Sequence, residues 1–221
     1  MALRGGRPLS LTDLPSTIPV FPLPGVLLLP RGTLPLNIFE PRYLAMTEDA
    51  LATPDRLIGM IQPTEPERAD KPPALYSVGC AGRIASFSET DDGRYLITLS
   101  GVCRFGVSEE VATMRGYRRV VPDFARWQGD LGEPPRGAID RDRLLTALKA
   151  FFARNDMSAD WNAINDSPDD RLVTTLAMFC PFEPQEKQAL LESESLAERA
   201  ATLIALLEMG TLGNAGEGAK H

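Results

Sequence analysis

Histidine is almost absent from this chain of 221 residues, because its one histidine is the final residue, His221. A Ser-His or Cys-His nucleophile and a metal site with several histidines therefore cannot be assembled within it. Its three cysteines, Cys80, Cys103 and Cys180, are far apart and show no C-x-x-C spacing, which excludes a zinc ribbon and a thioredoxin-like motif. We expect no catalytic residue, no metal site and no cofactor.

Charge and hydrophobic runs exclude further classes. With 30 acidic and 23 basic residues the formal net charge is -7, which argues against a protein that neutralises nucleic-acid phosphates across a broad face. No stretch approaches the ~20 apolar residues of a membrane span, and the first seven residues are not followed by the apolar core of a secretory signal. We therefore expect a cytoplasmic protein with no nucleic acid and no membrane as partner.

Catalytic motifs are missing as well. The tail contains Gly213 and Gly218, but Ala219 stands where a phosphate-binding loop requires lysine, and G-x-S-x-G does not occur. The paired acids at 91–92, 109–110 and 169–170 fall in turns, near strand ends or at helix starts, where solvated or capping carboxylates are usual. The sequence therefore predicts a protein that is not an enzyme.

The spacing of apolar residues predicts a two-part α+β chain. Up to about Phe124, short apolar runs alternate with proline and glycine, and beyond about Ile139 the spacing becomes helical. We expect a β-barrel or sandwich over 1–124, a helical bundle over 125–210 that begins with a linker at 126–138, and a disordered Gly-rich tail at 211–221.

Individual elements follow from local signals. A helix is predicted to begin at Pro41, and Gly93 is predicted to close a hairpin that sets Phe87 opposite Ile97, Ala85 opposite Leu99 and Cys80 opposite Arg104. Four helices are predicted in the second part: over 144–152, from Ser167, near Pro184, and from Ser195 to Gly210. Strands are predicted at 18–21, 26–29, 34–39, 57–61, 80–87, 95–99, 102–107 and 117–121.

Residues 18–43 read I-P-V-F-P-L-P-G-V-L-L-L-P-R-G-T-L-P-L-N-I-F-E-P-R-Y. This stretch resembles the opening of the Lon protease N-terminal domain. The resemblance continues through R-L-I-G-M at 56–60, V-G-C-A-G-R-I at 78–84 and D-G-R-Y-L-I-T-L-S-G-V-C-R-F at 92–105, in the family's order. The second half is similar to the helices of stand-alone bacterial members, so the resemblance covers about residues 15–209.

The resemblance implies a PUA-like β-barrel of the Lon N-terminal domain type, followed by a C-terminal helical bundle. It also implies recognition of proteins without hydrolysis, because the chain has neither the ATPase nor the protease module and is expected to be a stand-alone member. The implied partners are unfolded or specific client proteins, together with a separate Lon-type protease, in protein quality control. Phe39, Glu40, Arg42 and Tyr43 match the family motif, and we interpret them as structural: a strand end, a turn and a helix start held by an ion pair and a buried ring.

The Pro-rich run at 22–27 is the candidate for client binding. Its prolines block continued sheet pairing, while its aliphatic side chains lie beside an expected sheet edge, so Leu23, Pro24, Val26 and Leu27 are the predicted protein-binding residues. The same side chains could instead close one end of the barrel core. Two other functions stay open: an RNA-binding module that uses Arg115, Arg118 and Arg119, and a small-molecule sensor with carboxylates in a barrel pocket.

Overall fold

A computed structural model describes residues 3–4, 7–66, 72–133 and 138–212. The chain forms two compact units, Met1–Pro134 and Pro135–His221. The first unit contains the sheet and the second consists of helices. The predicted α+β class, with helices following a β-barrel, is confirmed.

The first unit is built around long antiparallel strands and one helix. Two short 3-10 helices, Leu11–Asp13 and Ala125–Leu131, flank them. The other described elements are β1 Leu3–Arg4, β2 Arg7–Pro8, β3 Ile18–Pro22, β4 Thr33–Ile38, α1 Pro41–Ala52, β5 Leu57–Ile61, β6 Val78–Glu89, β7 Tyr95–Met114 and β8 Tyr117–Asp123.

One long strand closes the sheet into a barrel. The strand order is β4-β7-β6-β5-β3-β8, and the second half of β7 also pairs with β8, which completes a ring. The predictions of separate strands at 95–99 and 102–107 are therefore wrong, because β7 is continuous. β4 pairs with the first half of β7 and stands at the end of the order, which is where Pro35 can be tolerated.

The β6–β7 register combines two bulges. Phe87 lies opposite Ile97 and Cys80 opposite Arg104, as predicted, and Gly93 has φ +78°. The predicted pairing of Ala85 with Leu99 is wrong, since Ile84 occupies that position and the register shifts between Ile84 and Ser86. A second shift between Ala81 and Gly82 has the opposite sense. The two shifts cancel, so the register is correct at both ends of the pair and wrong between them.

The segment 26–29 is not a strand, which corrects the sequence prediction. It is irregular, yet Leu27, Leu28 and Leu29 are 2%, 1% and 0% exposed. The backbone of this loop lies directly on β7, because a Cβ at Gly101 would stand 2.0 Å from the carbonyl oxygen of Leu29. Its apolar run therefore contributes to the core without pairing in the sheet.

The predicted linker also contains ordered structure. Within the 3-10 helix Ala125–Leu131, Trp127 is 4% exposed. The Arg104 guanidinium on β7 lies 3.9 Å from the centre of the Trp127 ring, and its Nε lies 2.9 Å from the Asp130 carboxylate. This pair fixes the 3-10 helix against the barrel, so residues 126–131 belong to the first unit.

The second unit has five helices among the described residues, one more than predicted. The additional helix is α3, whose first backbone N–H groups donate to the carboxylate of Asp160. It has only six residues and no apolar period. The helices are α2 Arg141–Arg154, α3 Trp161–Asp166, α4 Asp169–Phe179, α5 Pro184–Glu192 and α6 Leu196–Leu212.

Two details of the helical predictions are wrong. Phe179, expected in the core, is 64% exposed. Gly210 does not end the last helix, which continues to Leu212. A Cβ at Gly210 would stand 2.6 Å from Cε2 of Phe151, so this glycine permits close packing of α6 on α2. The remainder of the predicted tail, 213–221, lies outside the described residues.

Candidate functional site

The Pro-rich segment proposed for binding is only partly accessible. Pro24 is exposed and Leu23 and Val26 are half-buried, whereas Leu27 is 2% exposed. The backbone N–H of Leu23 donates to the carbonyl oxygen of Ile61 at 3.0 Å, and that of Gly25 donates to Oε1 of Gln62 at 3.1 Å. Leu27 is therefore a core residue. Leu23, Pro24 and Val26 are the residues of this segment that a partner can reach.

The family motif at 39–43 joins β4 to α1. Glu40 is the residue before the helix, and its carboxylate lies 2.9 Å from the Arg42 guanidinium. The ring of Tyr43 is 5% exposed and packs 4.1 Å from that of Phe21. Phe39 differs from these residues because it is 61% exposed. Three motif residues thus hold the strand-to-helix turn, while Phe39 presents an aromatic ring at the surface.

The three arginines considered for RNA already have partners within the chain. Arg115 donates to Glu48 at 2.7 Å and to Asp49 at 2.8 Å. Arg118 donates to Glu110 at 2.6 Å, and Arg119 donates to the carbonyl oxygen of Ala112 at 3.0 Å. Arg118 and Arg119 lie on β8, which is not an edge, since it pairs with both β3 and β7. A phosphate would have to displace these contacts, so the arrangement does not favour RNA.

A groove of about 460 Å³ lies beside α1. One wall is the end of α1 and the turn after it, and the other is formed by the start of β3 and the tip of the β7–β8 hairpin. Met114, 43% exposed, lies at its mouth. Its lining is Pro15, Thr17, Ile18, Pro19, Asp49, Ala50, Ala52, Thr53, Pro54, Asp55, Leu57, Met114, Tyr117 and Arg119. The mostly apolar lining suits an aliphatic or aromatic side chain.

Polar contacts fix the wall of this groove. The Tyr117 hydroxyl donates to Asp49 at 2.7 Å, and Arg115 donates to the same carboxylate. Burial, the hydrogen bond to Asp49 and its charge together raise the pKa of Tyr117 to about 12. Burial acts to raise the pKa of Asp49, but the hydrogen bonds from Tyr117 and Arg115 outweigh it, so that pKa lies below its usual value. These groups position α1 against the hairpin and stay in one protonation state near neutral pH.

A second apolar surface follows the free side of β4, which we call the open edge. Leu34 and Leu36 are half-buried, although they belong to the inward face of this strand. Leu36, Ile97 and Phe87 form one row across β4, β7 and β6, and Phe87 is 43% exposed. The open edge therefore offers both an apolar face and a strand backbone.

Nucleophilic and metal-binding arrangements are not found in the described ranges. All three cysteines are buried, and burial raises the pKa of Cys103 and of Cys180 to about 12, which keeps both as thiols. Across residues 3–4, 7–66, 72–133 and 138–212, no three His, Cys, Asp or Glu side chains converge as metal ligands would. Within the same ranges, no helix has the length and apolar character needed to cross a membrane.

Sequence reasoning did not find the groove or the open edge. The groove joins residues far apart in the chain, and no local pattern links Asp49 to Tyr117. The open edge had a partial signal in the sequence, because Pro35 cannot donate a backbone hydrogen bond and is therefore disfavoured in a central strand. Phe39 was assigned to the family motif on the basis of its position, and its exposure could not be read from the sequence.

Comparison with known families gives a match over most of the chain. Residues 17–209 match the family model described as the ATP-dependent protease La (LON) substrate-binding domain. Lon protease 2 of Sorangium cellulosum (strain So ce56) is 32% identical over 196 residues, which is 86% of this chain and 24% of that protein. Lon protease 2 of Myxococcus xanthus is 31% identical over 199 residues, 88% of this chain and 24% of that protein. The chain spans about a quarter of the length of these curated relatives.

Solved structures are similar in fold. The Lon N-terminal domain protein from Xanthomonas campestris has a TM-score of 0.60 at 23% identity, covering 86% of this chain and 97% of that one. The N-terminal domain of Mycobacterium avium complex Lon protease has a TM-score of 0.58 at 17% identity, with the same coverage of 86% and 97%. At these identities the likeness concerns the fold, which is the barrel followed by helices expected from the sequence.

Proposed function

Because the chain belongs to the ATP-dependent protease La (Lon) substrate-binding domain family, we propose that it is a non-catalytic module that binds polypeptide clients. The match of residues 17–209 to a substrate-binding domain is the single observation that carries this proposal. The clients are unfolded or specific proteins, and the setting is cytoplasmic protein quality control, where a separate Lon-type protease would degrade what this chain captures. The ATPase and protease activities of the whole relatives are not part of the proposal.

Exposed apolar side chains support binding to unfolded segments. In the described part of the chain, the large hydrophobic side chains that are exposed are Phe39, Phe87, Leu96, Met114, Phe179 and Met209. Methionine side chains adapt to varied apolar partners, and aromatic rings supply a large apolar contact area. Unfolded proteins expose apolar side chains that such a surface can bind. Leu23, Pro24 and Val26 remain proposed contacts at the surface, whereas Leu27 supports the core.

The buried thiols and the paired acids support a non-catalytic role. A thiol with a pKa of about 12 is not a nucleophile at neutral pH. One member of each acidic pair considered from the sequence accepts a hydrogen bond within the chain: Asp92 from Thr90, Glu110 from Arg118, and Asp169 from Arg141.

Fluorescence anisotropy with a permanently unfolded protein tests the proposal. Labelled α-lactalbumin, reduced and carboxymethylated, is titrated with the full chain, and native α-lactalbumin serves as the folded counterpart. We expect saturable binding of the unfolded form and none of the native form. Binding of neither form, or equal binding of both, would contradict the proposed function.

Two matched methionine variants locate the binding surface. Met114→Asp introduces a charge at the mouth of the groove, and Met209→Asp introduces one at a methionine that is 62% exposed on α6. If the groove receives client side chains, Met114→Asp weakens binding and Met209→Asp does not. The reverse pattern would assign the contact to the helical unit.

A further inference from the structure

The backbone N–H and C=O groups of β4 have hydrogen-bond partners on one side of the strand only. Within the described residues, hydrogen bonds to the backbone of Thr33–Ile38 come from β7, and no other strand pairs with it. The N–H of Gly101 on β7 donates to the carbonyl oxygen of Gly32 at 2.9 Å. Because successive residues of a strand point their backbone groups to opposite sides, Leu34, Leu36 and Ile38 also face β7. Thr33, Pro35 and Asn37 therefore point their backbone groups away from the sheet.

From this arrangement we propose that the open edge binds an extended, uncharged client segment as an additional strand. The inference rests on the proposed function and names the conformation in which a client is held. Two N–H donors, of Thr33 and Asn37, and three carbonyl acceptors, of Thr33, Pro35 and Asn37, are available to it. Backbone pairing of this kind gives affinity with little dependence on sequence, as a receptor for varied clients requires.

Side chains beside the edge select an apolar, uncharged segment. The six residues of β4 carry no charge, although edge strands are commonly protected by charged side chains. An added strand would lay alternate side chains beside Leu34 and Leu36, which are half-buried on a strand that pairs with β7 on one side. A segment that alternates apolar and neutral polar residues matches this surface.

Pro35 makes a second copy of this chain a poorer occupant than a foreign segment. If the β4 strands of two copies paired with each other, each would contribute a Pro35, which has no N–H. Such a pair would lack backbone donors that an ordinary strand supplies. A client without proline supplies a donor at each residue that faces the edge. The single proline therefore hinders edge-to-edge dimers but leaves the acceptors of β4 open to other chains.

The test uses the full chain and a capped, fluorescein-labelled peptide of alternating leucine and threonine, about eight residues long to span the strand. Its counterpart has the same side chains but carries methyl groups on all central backbone nitrogens, which removes the donors. We expect the unmodified peptide to bind and the methylated peptide to bind at least about tenfold more weakly, because each lost hydrogen bond to the edge costs roughly that factor. Equal affinity of the two peptides would overturn the proposal.

A pair of variants tests the same edge from the protein side. Asn37→Pro removes a donor that faces outward and leaves the bonds to β7 in place, whereas Asn37→Ala keeps the donor. We expect Asn37→Pro to weaken peptide binding by about tenfold and Asn37→Ala to leave it unchanged. If Asn37→Pro does not fold, as judged by circular dichroism, the comparison of the two peptides on the unaltered chain still decides.

Further outcomes separate this proposal from the function on which it rests. If unfolded α-lactalbumin binds but the two peptides do not differ, the proposed function stands and strand addition is wrong. If neither unfolded α-lactalbumin nor the peptide binds, both are wrong. If sedimentation detects a dimer of the unaltered chain that Asn37→Pro abolishes, the occupant is a second copy and the proposal is overturned.

Discussion

Replacement of Leu27 and of Leu23 by alanine separates core from surface in the Pro-rich segment. Leu27 is 2% exposed, on a loop that rests against Gly101 of β7. A fully buried Leu→Ala change costs about 2 to 5 kcal/mol, because the lost transfer free energy adds to that of the cavity. Leu23 is half-buried, so its replacement removes about half of a leucine's transfer free energy, roughly 1 kcal/mol, and leaves no closed cavity.

Urea unfolding measures both changes in the first unit. Trp127 is 4% exposed within this unit, so in a Trp161→Phe background its fluorescence reports on the barrel alone. We expect Leu27→Ala to lower the urea midpoint by about 1 to 2.5 M, because a loss of about 2 to 5 kcal/mol is divided by an m value of roughly 2 kcal/mol per M. Client binding should fall only with the fraction unfolded. Leu23→Ala should lower client binding with little loss of stability. An unchanged urea midpoint for Leu27→Ala would refute the assignment of this residue to the core.

Three further predictions concern charge and chemistry. Replacing Arg104 by Met removes the charged partner of the Asp130 carboxylate and leaves it the backbone N–H of residue 104 as a donor. This change should destabilise the first unit by about 3 to 5 kcal/mol in urea unfolding, and a loss below about 1 kcal/mol would contradict this. The pKa of Asp49 is lowered in the folded state. Its contribution to stability is therefore complete above the unfolded pKa of about 4 and is lost as the pH falls through the folded pKa. On acidification, the free energy of unfolding should fall less steeply in Asp49→Asn than in the unaltered chain. The three buried cysteines should not react with a disulfide reagent until the protein unfolds, and fast labelling of the native chain would be inconsistent with the structure.

The barrel strands and α1 could be predicted because their signals are local. Pro41 at the first position of α1, the turn at Gly93 and the proline in β4 each restrict the backbone through their own covalent geometry. The cross-strand pairs of β6 and β7 near the turn could be assigned by counting residues outward from Gly93. These features depend on a few neighbouring residues, which is the information that a single sequence supplies.

The remaining errors come from contacts between distant residues. The segment 26–29 has the composition of a strand, but its position over Gly101 of β7 makes it a covering loop. The 3-10 helix Ala125–Leu131 lies in a segment with the composition of a linker and is fixed by Arg104, which is 21 or more residues earlier in the sequence. Paired bulges in β6 and β7 likewise have no local signature. The groove and the open edge arise in the same way, from elements that only the fold brings together.

The central claim is that this chain captures unfolded polypeptide, and calorimetry tests it most directly. The full chain is titrated with reduced, carboxymethylated α-lactalbumin at two temperatures, so that a vanishing enthalpy at one of them cannot hide binding. We expect saturable binding whose enthalpy becomes more negative as the temperature rises, because burial of apolar surface gives a negative heat-capacity change. The absence of binding heat at both temperatures, or binding with no change in heat capacity, would contradict it.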